Sequence, residues 1–354
     1  MKLRKIIISI IMISILILGL YFINSKFKIF DNIFGLGTSE YKEKEEEPKL
    51  QIVDEDSNSR IIAVMINNNH AAWPHAGLQD AFINYEIIVE GGITRILSLF
   101  KDADTEKIGS VRSARHYFLD YAMENDAIYV HHGRSPQALE DIENYNIDNI
   151  EGLYDEDGFW RDKTLNKAYE HTSFTNIEKI NTVIKEKGYR TTTDTDLLLN
   201  YSAKEIDLSK KENSIKADKI SIEYSSYQTT YYEYDEENKV YLRSMDDEPH
   251  VDAITGKQYT TKNIITYQVK NRTIDSNGRQ DLDNVGSGEG YYISNGYAVP
   301  ITWEKASRSS QTVYKYMDGT EIDANDGVTW IQIQPVGKEL GIEAFEEEYN
   351  DTEE

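Results

Sequence analysis

The chain of 354 residues carries 62 Asp plus Glu against 38 Lys plus Arg, a formal net charge of −24, and has no cysteine. Its length suits two globular domains with extras, and its charge excludes a duplex nucleic-acid binder, which needs a cationic face for phosphates. The lack of Cys excludes a disulfide frame, a thiolate zinc site, an iron–sulfur cluster, a thiol nucleophile and a lipidated N-terminal Cys, while 39% hydrophobic and 11% aromatic residues suffice for real cores.

Lys2, Arg4 and Lys5 precede an apolar run of 18 residues from Ile6 to Ile23, interrupted only by Ser9, Ser14 and Gly19. At about 1.5 Å per residue the run spans about 27 Å, enough for a hydrocarbon core. It ends in Tyr21-Phe22-Ile23-Asn24-Ser25-Lys26 without a small-x-small cleavage site, so residues 1–35 read as an uncleaved single-span signal anchor. The leading bases place the N-terminus in the cytoplasm and the C-terminal body outside the cell membrane; Lys26 and Lys28 weaken that asymmetry without reversing it. Residues 36–59 read as an acidic linker and residues 337–354 as an acidic tail.

Ile61–Ile66, Ala81–Val89, Ile93–Phe100, Ile108–Val111 and Ala127–Val130 read as strands, with a tight hairpin at Glu90-Gly91-Gly92. Ala114–Glu124 has helical spacing, Ser135-Pro136 is an N-cap followed by Pro at the first helical position, and Gly188 closes a helix over Thr175–Lys187. Residues 60–201 therefore form an α/β-type first domain. A connector over 202–218 follows, with a short helix expected just before it at Asp196–Asn200. From Lys219 the grammar changes to short strands joined by turns, including Asn295-Gly296 and Asp318-Gly319, so residues 219–336 read as a mainly antiparallel β domain. The whole is α+β. Asn277-Gly278-Arg279 and the Gly-rich 286–290 precede no helix, so they read as hairpin loops and not as phosphate loops.

The chemistry concentrates between Glu90 and Pro136. Arg95, Arg112, Arg115 and Arg134 fall there with His131 and His132, in a chain of only 12 Arg and seven His. Arg is preferred where a planar fork grips phosphate or carboxylate. Two strand ends, at Arg112 to Arg115 and at His131 to Pro136, each open a helix, whose free N–H groups favour an anion. If the strands are neighbours, both face one crevice beyond their carboxyl ends. Glu90 and His171 are further candidates for that crevice. The competing reading pairs each Arg with a nearby acid such as Asp120, Glu140 or Asp141. No H-x-x-x-H or H-E-x-x-H spacing occurs, so no metal or cofactor is expected. No nucleophile–base pair emerges, which leaves enzyme and binding protein both open.

Ile62-Ala63-Val64-Met65-Ile66-Asn67-Asn68, Glu90-Gly91-Gly92-Ile93-Thr94-Arg95, Ile108 to Arg115 and Tyr129 to Leu139 resemble the corresponding blocks of the YerB family, as do Pro249-His250-Val251-Asp252, Asn277-Gly278-Arg279, Gly286 to Gly290 and Gly327 to Ile331. The resemblance covers most of residues 60–336. It implies a bacterial, extracytoplasmic envelope protein and carries no agreed catalytic residues. Typical members resemble lipoproteins; this chain, lacking Cys, departs there and must use the helix from Ile6. More distantly, the hairpin before Arg112 is similar to that of the LytR-CpsA-Psr wall-polymer ligases, in which an Arg grips a polyprenyl pyrophosphate. Arg112 and Gly133 fall in comparable places, but Ser113 stands where those proteins have Asp, which counts against metal-assisted phosphotransfer. These resemblances imply a membrane-anchored binding or scaffold protein in cell-wall processes, with an anionic wall precursor or an envelope protein as partner. The alternative is a phosphotransferase-like enzyme acting on such a precursor.

Overall fold

The computed structural model describes residues 2–27 and 48–345; parts of the expected linker and tail lie outside the described residues. Two units are distinct, Met1–Pro48 and Lys49–Glu354. The first contains the helix Lys2–Phe27 of 26 residues, whose large apolar side chains from Ile7 to Ile23 are exposed. Among the described residues no helix is long and apolar enough to cross a membrane.

The body is mixed and mostly strand. Its centre is an 11-stranded sheet in the order Ile215–Lys216, Tyr297–Lys305, Gly286–Ser294, Asn263–Val269, Thr329–Pro335, Ile83–Ile88, Thr94–Phe100, Ile62–Asn67, Ile128–His131 and Asn149–Glu151, with Val313–Tyr316 added on Tyr297–Lys305. Strands of both sequence halves thus share one sheet. The seam is Thr329–Pro335, which pairs parallel with Ile83–Ile88 on one side and with Asn263–Val269 on the other. All six positions from Ile62 to Asn67 are buried, as are those of Ile83–Ile88 and Thr94–Phe100, which is why these runs are mostly apolar and do not alternate.

Three helices follow local signals. Ser135 accepts a hydrogen bond from the Ala138 N–H at 3.1 Å and Pro136 opens the helix Pro136–Asn144. Asn176 caps Ile177–Lys187 through the Lys179 N–H at 2.8 Å, and Gly188 ends that helix at φ +67°. His116–Glu124 buries Tyr117, Phe118, Tyr121 and Ala122. The expected helix at Asp196–Asn200 does not form; Asn200–Ser202 instead pairs with Asp323–Asn325. The Gly-rich 286–290 lies within a strand, not a loop. A Cβ on Gly290 would fall 2.3 Å from the Thr266 carbonyl oxygen, so glycine serves strand packing there. Asn277-Gly278-Arg279 does lie in the turn between Asn271–Thr273 and Gln280–Leu282.

A second, six-stranded sheet, Glu248–Pro249, Val240–Met245, Gln228–Asp235, Lys219–Ser225 and Leu340–Glu343 with Thr260–Thr261 alongside, covers one face of the central sheet. A buried polar network joins the two layers. Arg243, from the second sheet, donates to Glu86 on the central sheet at 2.7 Å, with both side chains fully buried. Glu86 also accepts from Asn68 at 3.0 Å, Thr94 at 2.7 Å and Thr230 at 3.1 Å. The Arg243 guanidinium lies 4.3 Å over the Trp330 ring and bonds His250, which in turn contacts His75. Glu86 and Glu90 have different surroundings: Glu90 sits in a short 3-10 turn after the strand and turns to other partners.

Candidate functional site

The two strands singled out in the sequence are not neighbours: the first shrinks to Ile108–Gly109 and pairs with Ser173–Thr175 in a separate three-stranded sheet, and it is the segments beyond the strand ends that meet. Ile62–Asn67 runs parallel to Ile128–His131, and beyond them Ala114 bridges Arg134, with the Ala114 N–H donating to the Gly133 carbonyl at 2.8 Å. The His132 N–H donates to the Arg112 carbonyl at 3.0 Å, so residues 112–115 and 132–135 form a short parallel ladder. Gly133 at φ +84° makes this fit possible; a Cβ there would stand 2.8 Å from Ser113 Oγ.

The arginines on this ladder have different partners. Arg134 donates to Glu151 at 2.6 Å and lies 5.1 Å over the Tyr154 ring. Burial raises the Glu151 carboxyl, but hydrogen bonds and charge from His131, the Gly133 N–H and Arg134 outweigh it and bring it to about 2. Arg115 bonds Glu90 and the Ala114 carbonyl. Arg95 is buried, donates to the Ser113 carbonyl and lies 3.7 Å from the same Glu90. Burial and then Arg115 push the Arg95 guanidinium down to about 9, against Glu90. One carboxylate thus serves two cations. Burial raises the pKa of Glu90, yet the bond from Arg115 and the charges of Arg95 and Arg115 hold it below the usual value.

Arg112 is different. It reaches only the Glu170 carbonyl, at 3.3 Å. Burial lowers its pKa; Glu170 opposes that, while Arg115 and Arg161 add to it. Arg161, from Trp160–Arg161, donates to the Tyr169 carbonyl at 2.7 Å and to His132 Nε2 at 2.8 Å, and lies 4.0 Å over the Tyr169 ring. Among the described arginines of the body, Arg112 and Arg161 alone have no carboxylate within 4 Å; Arg60, Arg190, Arg243, Arg272, Arg279 and Arg308 all have one, as do the three above.

The histidines divide similarly. His131 is wholly buried, with Nδ1 2.9 Å from the Gly133 carbonyl and 3.2 Å from Glu151. His132 accepts from Arg161 on Nε2, which leaves Nδ1–H to donate to Ser173 Oγ at 2.8 Å. Burial and the Arg161 charge push His132 down to about 4. His171 is buried, bonds the Asn67 amide at 2.8 Å, and is held below its usual pKa by burial and Arg112. Lys167 approaches the same place: its ammonium donates to the Trp73 carbonyl and its charge acts on His171.

Glu90 thus holds Arg95 and Arg115, Glu151 occupies Arg134 and His131, and Arg112 and His171 lie with the segment around Glu170. Arg161 and Lys167 have no sequence signal; both lie in a polar stretch with no periodicity, and only the scarcity of Arg could have drawn notice to Arg161. A cavity of about 600 Å³ lies elsewhere, lined in part by Asp54, Glu55, Asp194, Asp196 and Glu321.

Comparison with known proteins gives a consistent picture. Residues 49–190 match the family described as "Protein of unknown function (DUF3048) N-terminal domain", and residues 220–331 match its C-terminal domain. The chain is 32% identical over 280 residues to a Bacillus subtilis (strain 168) protein named "Putative lipoprotein YerB", covering 78% of this chain and 81% of that one. A crystal structure of YerB protein from Bacillus subtilis superposes with a TM-score of 0.71 at 29% identity, covering 82% of this chain and 96% of the other. The chain belongs to the YerB family, built from the DUF3048 N-terminal and C-terminal domains.

Proposed function

We propose that this is an envelope-associated binding protein, held at the membrane by its N-terminal helix, whose Arg112–Arg161 cluster takes an anionic group from a wall precursor or an envelope partner. The observation that carries the reading is that Arg112 and Arg161 donate to the carbonyls of the adjacent residues Glu170 and Tyr169, and that neither has a carboxylate within 4 Å in a chain of net charge −24. With acids so abundant, two Arg held on main-chain carbonyls and out of ion-pair contact keep donors that an outside anion can use. Binding is favoured over catalysis because the serine–histidine contact found among the described residues has the wrong polarity. Arg161 caps the ring nitrogen of His132 and makes the imidazole a poor base for Ser173.

A panel of sulfate, phosphate, acetate and citrate, scored by thermal stabilisation of the full chain in non-ionic detergent, tests the site. At least one anion should stabilise the wild type and lose that effect in Arg112→Ala, with salt weakening it. Equal responses from both proteins, or none from either, would refute the reading. The envelope location is supported by the relative's name, and the anchor by the 26-residue helix and the apolar run after three bases. Protease added to intact protoplasts should digest the body; a protected body would overturn this topology.

A further inference from the structure

A cavity of about 530 Å³ lies where the loop after Ile62–Asn67 meets the hairpin of Val240–Met245 and Glu248–Pro249, so each half of the sequence supplies one wall. Its size falls in the range of about 300–1,000 Å³ typical of ligand pockets. The first wall is aromatic. The His70 ring packs against the Trp73 indole with centroids 4.4 Å apart, and it stacks at 4.7 Å on the exposed ring of Tyr227. Trp73 is fixed at both ends: its indole N–H donates to Asn68 at 3.2 Å, and its carbonyl accepts from Lys167. The second wall is acidic, with Asp246, Asp247 and Glu248 in succession. Asp246 accepts from the Thr229 N–H at 3.2 Å and stands 2.9 Å from His70 Nε2, which ties the hairpin to the aromatic wall. Asp247 and Glu248 are exposed, and among the described residues no Lys or Arg lines the cavity. Two cations stand behind the walls, but Lys167 is bound at the Trp73 carbonyl and Arg243 is paired with Glu86. His250, which also lines the cavity, spends one ring nitrogen on Arg243 and the other on His75.

We propose that this cavity binds an organic ammonium group: a protonated amine, a quaternary ammonium or a lysine side chain. An aromatic ring attracts such a cation, Trp most strongly, while its alkyl part packs on apolar surface. The carboxylates of the facing hairpin supply the countercharge. A metal ion fits less well, because among the described residues no three His, Asp or Glu side chains are placed to hold one. An uncharged sugar would use the aromatic wall but leave the charge of three acids uncompensated. The aromatic wall is preformed, so little ordering cost opposes binding. The proposal stands apart from the anion-binding reading and shares no residue with Arg112 or Arg161.

Isothermal titration calorimetry on the full chain in non-ionic detergent at low salt tests this, comparing choline with neohexanol, its uncharged carbon isostere. Choline should bind at least about tenfold more tightly. Trp73→Leu should weaken choline by about 2- to 30-fold. The double variant Asp247→Asn/Glu248→Gln changes only exposed side chains, should weaken choline by a similar factor, and covers the case in which the Trp73 variant fails to fold. Glu236→Gln/Glu237→Gln removes the same charge from exposed positions at the other end of Val240–Met245 and should leave the affinity unchanged. Cadaverine and a capped lysine tripeptide then separate the sources: the tighter of the two marks a free amine or a protein-borne lysine, and binding of either supports the inference. Equal affinity for choline and neohexanol would overturn it, as would N-acetylglucosamine binding more tightly than choline. Affinity that survives both site variants, or that falls as far in Glu236→Gln/Glu237→Gln, would overturn it too, and so would no binding of any probe.

Discussion

Replacing Arg243 by Met should destabilise the body far more than an average core substitution. Arg243 and Glu86 are both fully buried and link the second sheet to the central one at 2.7 Å. Without Arg243, Glu86 keeps only the neutral donors of Asn68, Thr94 and Thr230, and its charge has no counterpart in an interior of low dielectric. Removing one partner of a buried pair costs about 3–5 kcal/mol, whereas replacing both with groups of similar shape is often neutral. With a urea m-value near the top of the range of about 1–3 kcal/mol/M, the unfolding midpoint should fall by about 1–2 M. Trp330, 4.3 Å below the guanidinium, supplies a fluorescence signal at the site. The double variant Glu86→Gln/Arg243→Met should recover most of the loss. A midpoint within about 0.3 M of wild type for the single variant, or a double variant as weak as the sum of both singles, would show that the pair does not hold the layers as argued.

His132 and Gly133 give two further tests. The folded pKa of His132, about 4, lies below the unfolded imidazole value, so the native state binds fewer protons between the two. Its contribution to stability is therefore complete above about pH 6.5 and is lost as pH falls towards the folded value, a slope that His132→Gln should flatten. An NMR titration of the His132 ring with a midpoint near 6.5 would contradict this. Gly133→Ala places a Cβ 2.8 Å from Ser113 Oγ at φ +84°, and should cost about 1–2 kcal/mol from the backbone alone. Adding Ser113→Gly should relieve only the contact; an unchanged urea midpoint for Gly133→Ala would refute the strain.

Much of the local architecture is legible in the chain because its causes are local. Ser135-Pro136 and Gly188 mark helix ends through capping and φ preferences that involve only a few neighbouring residues. Asn295-Gly296 gives a two-residue hairpin, with both residues at positive φ and Ser294 paired with Tyr297. The segments at Arg112 and at Arg134 are also readable as leads into helices, but not the fact that they meet. By contrast, the shared sheet depends on Thr329–Pro335 inserting between strands from both halves, and strand pairing over such separations leaves no local mark. The partners of the arginines are of the same kind. Arg134 and Arg112 look alike in sequence, yet one meets the Glu151 carboxylate and the other only the Glu170 main-chain carbonyl. Which charges come within 4 Å is decided by the packing of residues far apart in the chain, and so is the choice between a satisfied arginine and one left for a ligand.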